Sequence, residues 1–106
     1  PQNEGDARRI LAELSGKIHK VHTGVCLRRG EKERVFHETA QVEFYPLTEE
    51  EIARYVASGE PMDKAGAYGI QGKGALLVLR ITGDYYTIVG LPIAWVAREL
   101  AEFAEA

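Results

Sequence analysis

The chain has 106 residues and a mass of 11.7 kDa, 45% of them apolar and 27% charged, so residues 1–106 are expected to form a single globular domain. A net charge of -3 and a pI near 5.6 exclude the basic footprint of a nucleic-acid-backbone binder, and no apolar run reaches the ~20 residues of a membrane helix. One cysteine, Cys26, excludes an intramolecular disulfide and any CxxC metal knuckle, which fits a reducing compartment.

Asn3 is a candidate N-cap, and Ala7, Ile10, Leu11 and Leu14 then fall on one helical face that Ser15-Gly16 terminates. From Lys17 to Leu27 the period changes to two. Val21, Thr23, Val25 and Leu27 share one strand face, with His22 and Cys26 on the other. After the polar turn Arg29 to Glu33, a second strand from Arg34 to Tyr45 carries Phe36, Ala40, Val42 and Phe44 on its even positions, predicting an antiparallel hairpin. Thr48-Glu49-Glu50-Glu51 is a capping box opening a helix with Ile52, Tyr55 and Val56 inside and Ser58-Gly59 at its end. A loop from Glu60 to Gly74 follows, rich in glycine. Ala75 to Thr82 reads as a strand buried on both faces, Gly83-Asp84 as a hairpin turn and Tyr85 to Val89 as the partner strand. Pro92 opens a last helix, with Ile93, Val96, Ala97, Leu100 and Ala104 facing inward. The order is α-ββ-α-loop-ββ-α, a mixed α/β class.

Few side chains invite chemistry. His19 and His22 point to opposite strand faces, and His37 is expected near Val25, so no zinc spacing emerges. The two serines, Ser15 and Ser58, sit at helix ends and build no nucleophilic triad. Glu49 to Glu51 and Glu99 to Glu105 read as helix-terminal charge and a solvated face, and Tyr85-Tyr86 as packing. The loop is the exception. Backbone amides of glycine-bearing loops approach anions closely, Lys64 offers a point charge for phosphate, and the Gln71 amide offers the donor and acceptor needed at a nucleobase edge. A plain structural loop accounts for the glycines equally well.

The run Ser58-Gly59-Glu60-Pro61-Met62-Asp63-Lys64-Ala65-Gly66-Ala67-Tyr68-Gly69-Ile70-Gln71-Gly72 resembles the signature of Maf proteins, nucleoside triphosphate pyrophosphatases with a link to septum formation. Leu14-Ser15-Gly16 with His19, His22 to Val25, Phe44 to Thr48, and Gly83 to Tyr86 with Val89 to Pro92 follow in the family's order. The loop wording is similar to that of the dTTP/UTP-hydrolysing branch. The resemblance implies an inosine-triphosphatase-like fold, a mixed sheet flanked by helices, of which this chain looks like the C-terminal portion. It implies cleavage to monophosphate and pyrophosphate with Mg2+ or Mn2+, a cytoplasmic location and an assembly that is often a homodimer. Gln71 takes the base-preference position, Lys64 is assigned to the triphosphate, and Asp63 to positioning that lysine or a metal-bound water. The family's phosphate loop and general-base aspartate match nothing here, so catalytic groups are expected upstream of Pro1 and the segment alone is expected to be inactive. A non-catalytic nucleotide-sensing or septum-related interaction domain is the alternative.

Overall fold

The computed structural model describes residues 1–64 and 66–105; Ala65, inside the glycine-bearing loop, and Ala106 lie outside the described residues. The chain divides into two compact units, Pro1–His19 with Val42–Ile81 and Lys20–Gln41 with Thr82–Ala106. The element order is α1 (Glu4–Leu14), β1 (Ile18–Arg29), β2 (Lys32–Phe44), α2 (Glu49–Ala57), two 3-10 helices (Glu60–Asp63 and Gly72–Leu77), β3 (Val78–Thr82), α3 (Tyr85–Val89) and α4 (Ile93–Glu105). The strands form one sheet in the order β1-β2-β3.

In the first unit, local chemistry sets the helices. The Asn3 side chain accepts from the Asp6 amide at 2.8 Å, capping α1. Thr48 and Glu51 complete the reciprocal box at α2, through Glu51 N to Thr48 Oγ1 (3.1 Å) and Thr48 N to Glu51 Oε1 (3.2 Å). Helix α1 buries Ala7 and Leu11, and α2 buries Ile52, Tyr55 and Val56. Leu11, Val42, Phe44 and Val56 are among the largest fully buried side chains, each contributing about 1.5–3 kcal/mol of apolar burial. Gly16, at φ 67°, turns the chain out of α1, and its amide donates to the Tyr45 carbonyl. Tyr45 in turn donates to Leu77, pairing the end of β2 with the approach to β3.

In the second unit, the hairpin closes through Gly30-Glu31, with Gly30 at φ 60°. This register places His37 against Gly24, one residue from the expected Val25, and lets His22 Nδ1 bond Thr39 Oγ1 at 2.9 Å. Along β1 the odd positions Val21, Thr23, Val25 and Leu27 are half-buried and the even ones exposed, as the alternation predicts.

Three expectations about secondary structure and inward faces fail in whole or in part. Tyr85–Val89 is helix α3 rather than a partner strand: Asp84 caps it, accepting from Tyr86 N and Thr87 Oγ1 (both 3.2 Å), and Thr87 is fully buried. Its carbonyl accepts from Thr23 Oγ1 at 2.9 Å, so a tertiary bond overrides the strand-favouring Tyr-Tyr-Thr-Ile-Val composition. The run Ala75 to Thr82 does not form one doubly buried strand. Its first half is 3-10 helix, and β3 keeps Leu79 and Arg80 exposed. Helix α4 buries Val96, as expected, but with Phe103 beside it, while Ile93, Ala97, Leu100 and Ala104 of the expected face are exposed.

The reason lies partly in charge. Arg34 Nη1 meets Glu99 Oε2 at 2.7 Å, Trp95 Nε1 donates to Glu99 Oε1 at 3.1 Å, and the Trp95 ring packs on Phe36 at 4.7 Å between centroids. The Arg34 guanidinium also lies 5.9 Å from the Phe103 ring. Glu99 is therefore an anchored group rather than part of a solvated face, and the neighbouring Arg34 holds its carboxyl below the usual value, with help from Trp95. Tyr85 and Tyr86 stack edge-on against each other but are substantially exposed, so they are not core packing.

Candidate functional site

The glycine-bearing loop is two short 3-10 helices joined across an internal clamp. Gly59, at φ 80°, lets the chain leave α2 and enter Glu60–Asp63, where Pro61 is fully buried. The Glu60 carboxylate then reaches over to the start of Gly72–Leu77. Its Oε2 accepts from Lys73 N at 3.1 Å, and its Oε1 from Gly74 N at 3.2 Å and from the Tyr55 hydroxyl at 3.1 Å. The Tyr55 oxygen accepts in turn from Gly69 N at 3.2 Å. Burial, with Glu60 beside it, pushes the Tyr55 phenol up to about 12, so it stays a neutral donor.

The glycines of this frame have different reasons. A Cβ on Gly74 would lie 1.9 Å from the Gly69 carbonyl oxygen and 2.9 Å from the Tyr55 hydroxyl, so no other residue fits. Gly72 has φ 71°, and a Cβ there would press on the Glu60 carboxylate at 3.2 Å. Ala67 holds φ 66° although it carries a Cβ, and it is fully buried, which marks local strain of about 1 kcal/mol.

This geometry places the three residues singled out from the sequence. The Lys64 side chain passes Gly69, where a Cβ would lie 3.1 Å from Lys64 Cε; of Gln71 it is the backbone carbonyl oxygen, two residues on, that lies 3.7 Å from the same point. Gln71 is exposed and precedes the second 3-10 helix. Asp63 faces solvent, with one oxygen 3.7 Å from Lys64 Nζ, an exposed pair of little energetic weight. The amides of Gly69, Lys73 and Gly74 are already satisfied within the loop, so the sequence expectation of backbone amides cradling an anion does not apply to them.

Sequence reasoning missed Glu60, Tyr55 and an aromatic corner beneath the loop. Tyr68 Oη lies 2.7 Å from His19 Nε2, and Tyr68 and His19 each meet Phe44 edge-on at 4.8 and 5.2 Å. Burial pushes Tyr68 up to about 12 and His19 down, keeping both neutral. His19 Nδ1 is buried without a hydrogen-bond partner. The period-two pattern put His19 on the inward face, which was a usable signal. Nothing local linked Glu60 to residues 13 and 14 positions away.

A separate groove of about 300 Å³ opens between α2 and the second 3-10 helix, lined by Arg54, Tyr55, Ser58, Lys73, Leu76 and Leu77 among others. Asp63, Lys64 and Gln71 do not line it. Among the described residues, no three His, Cys, Asp or Glu side chains come together as a metal site, and no helix is long and apolar enough to cross a membrane.

A mixed α/β fold carrying a clamped glycine loop that contains Lys64 and Gln71 defines the class. The family model of Maf-like proteins matches residues 1–103, and the chain belongs to that family. It is 57% identical to a dTTP/UTP pyrophosphatase of Bacillus cereus (strain B4264) over 103 residues, 97% of this chain and 54% of that protein. A dTTP/UTP pyrophosphatase of Bacillus mycoides (strain KBAB4) is likewise 57% identical, and one of Bacillus thuringiensis subsp. konkukian (strain 97-27) 55%, with the same coverage. The chain thus spans about half the length of these relatives.

Proposed function

We propose that the protein carrying this chain hydrolyses dTTP and UTP to the nucleoside monophosphate and pyrophosphate, with water attacking between the α and β phosphates. The loop carries this reading: the Lys64 stem passes Gly69, Gln71 follows two residues on and is exposed, and the Gly69, Lys73 and Gly74 amides are occupied internally, leaving those side chains to meet a ligand. The names of the relatives supply the substrate class.

The roles assigned to this chain are roles of recognition. Gln71 presents an amide that can donate and accept at the pyrimidine edge. The Lys64 ammonium neutralises a phosphate oxygen, with Asp63 3.7 Å away as a weak, exposed partner to it. A divalent cation such as Mg2+ or Mn2+ would spread the remaining triphosphate charge. The described residues do not build a site for it, and the recognition proposed for this chain does not depend on one. A homodimer and a reducing, cytoplasmic setting, in which the exposed Cys26 thiol persists, complete the reading.

Pyrophosphate release by the protein in its full natural length, with each nucleoside triphosphate and Mg2+ or Mn2+, tests this function. Turnover of dTTP and UTP ahead of purine triphosphates is expected. Gln71→Ala should lower that preference about 10-fold by deleting the group that reads the base. Wild-type protein inert toward every nucleotide would sink the assignment. Binding without turnover would favour a nucleotide sensor instead.

A further inference from the structure

We propose that Glu60 is a positioning residue for nucleotide recognition: it clamps the far end of the loop so that Gln71 and Lys64 address one ligand together. This deepens the function proposed above and rests on it.

The geometry carries the argument. Both Glu60 oxygens are engaged, and their three donors come from two elements: the Tyr55 hydroxyl on α2, and the Lys73 and Gly74 amides at the start of the second 3-10 helix. The Lys73 amide comes before the first bonded turn of this 3-10 helix and has no partner within it, and bonds to a carboxylate are the stronger kind. Gln71 stands two residues before Lys73, so its backbone is fixed from the clamped side. On the other side the Tyr55 oxygen, itself held by Glu60, takes the Gly69 amide. Gly69 is also where the Lys64 stem passes. One carboxylate therefore determines the placement of both recognition residues while its own oxygens stay occupied within the loop. Gly72 keeps the space it needs, since a side chain there would press on both oxygens.

A preordered loop spares the ligand the cost of ordering it, so losing the clamp weakens binding more than chemistry. Glu60→Gln keeps the shape but exchanges one acceptor oxygen for an amino group, losing at least one of the three bonds. Glu60→Ala loses all three. In the protein of full natural length, KM for dTTP should rise about 3- to 10-fold in Glu60→Gln and about 10- to 100-fold in Glu60→Ala, with kcat within about 3-fold of wild type. In a Gln71→Ala background, Glu60→Gln should raise KM by a smaller factor than it does in the wild type, the remainder passing through Lys64. Amide exchange at Lys73 and Gly74 should quicken in Glu60→Gln, a reading that also serves if Glu60→Ala fails to fold.

Unchanged KM and unchanged amide exchange in Glu60→Gln, or a fall in kcat without a rise in KM, overturns the role of Glu60 while wild-type turnover leaves the proposed function standing. An additive double mutant overturns it equally. Wild-type protein that turns over no nucleotide overturns both.

Discussion

The two units of the chain are stabilised by different means. The loop unit, Pro1–His19 with Val42–Ile81, packs Leu11, Val42, Phe44, Ile52, Tyr55 and Val56 into an apolar core and sets the glycine loop beside it. The hairpin unit, Lys20–Gln41 with Thr82–Ala106, buries fewer large apolar side chains, among them Val96 and Phe103; both units leave others exposed, Leu76 and Ile18 in the loop unit and Val35, Tyr86, Ile93 and Leu100 in the hairpin unit. Its tight contacts are polar or aromatic: Arg34 with Glu99, Glu99 with Trp95, Trp95 with Phe36. The difference teaches where precision is supplied. A recognition loop must hold side chains within a fraction of an ångström, and a close-packed base under it resists displacement.

Substitutions can break this contrast. The largest effect is expected from Phe44→Ala, which empties the corner shared with His19 and Tyr68. It should cost about 3–5 kcal/mol in denaturant unfolding. A loss below about 1 kcal/mol would show that this corner is not the base of the loop.

Acid should separate the units next. Burial lowers the His19 pKa, so the unfolded chain binds the proton more readily. Stability from this group is present above the ordinary histidine value of 6.5 and is lost as pH falls below it. Glu99 has its pKa lowered by Arg34, so its contribution is present above the ordinary glutamate value of 4.5 and is lost only as pH falls below that. The loop unit should therefore respond in the histidine range, ahead of the carboxylate range in which Asp6 beside Arg9 also titrates low, whereas the response of the hairpin unit from Glu99 lies in the carboxylate range alone. The emission of Trp95, the chain's one tryptophan, reports the second step, and Glu99→Gln should remove it. A single transition common to both units, unmoved by Glu99→Gln, would contradict the division.

The smallest effect belongs to Ile93→Ala on α4. The side chain is 51% exposed, and alanine is the better helix former, so thermal unfolding should shift by the equivalent of about 0.5 kcal/mol or less. A core-sized loss would restore the inward face that the sequence spacing suggested for Ile93.

Much of the fold was legible because its causes are short-range. Caps at Asn3 and Thr48 act within three residues, the α1 stripe repeats within two turns, and the alternation of β1 and β2 marks their faces residue by residue. The loop was legible as an unusual stretch, and Asp63, Lys64 and Gln71 were named from it. What failed were segments with two plausible local answers. Tyr85–Val89 is rich in strand formers, yet Asp84 and the bond from Thr23 make it a helix. Helix α4 offers apolar residues on more than one face, and the Arg34, Glu99 and Trp95 contacts select Val96 and Phe103.

Residue identity at fixed short spacing was enough for the starts of α1, α2 and α4, the hairpin, the single thiol and the family. Only the tertiary structure decided that Glu60 would answer to Lys73 and Gly74, that His19 would lie under Tyr68, and which side of α4 turns inward. Those choices join residues from 13 to 65 positions apart, where hydrogen-bond satisfaction and close packing, rather than local propensity, select the partner.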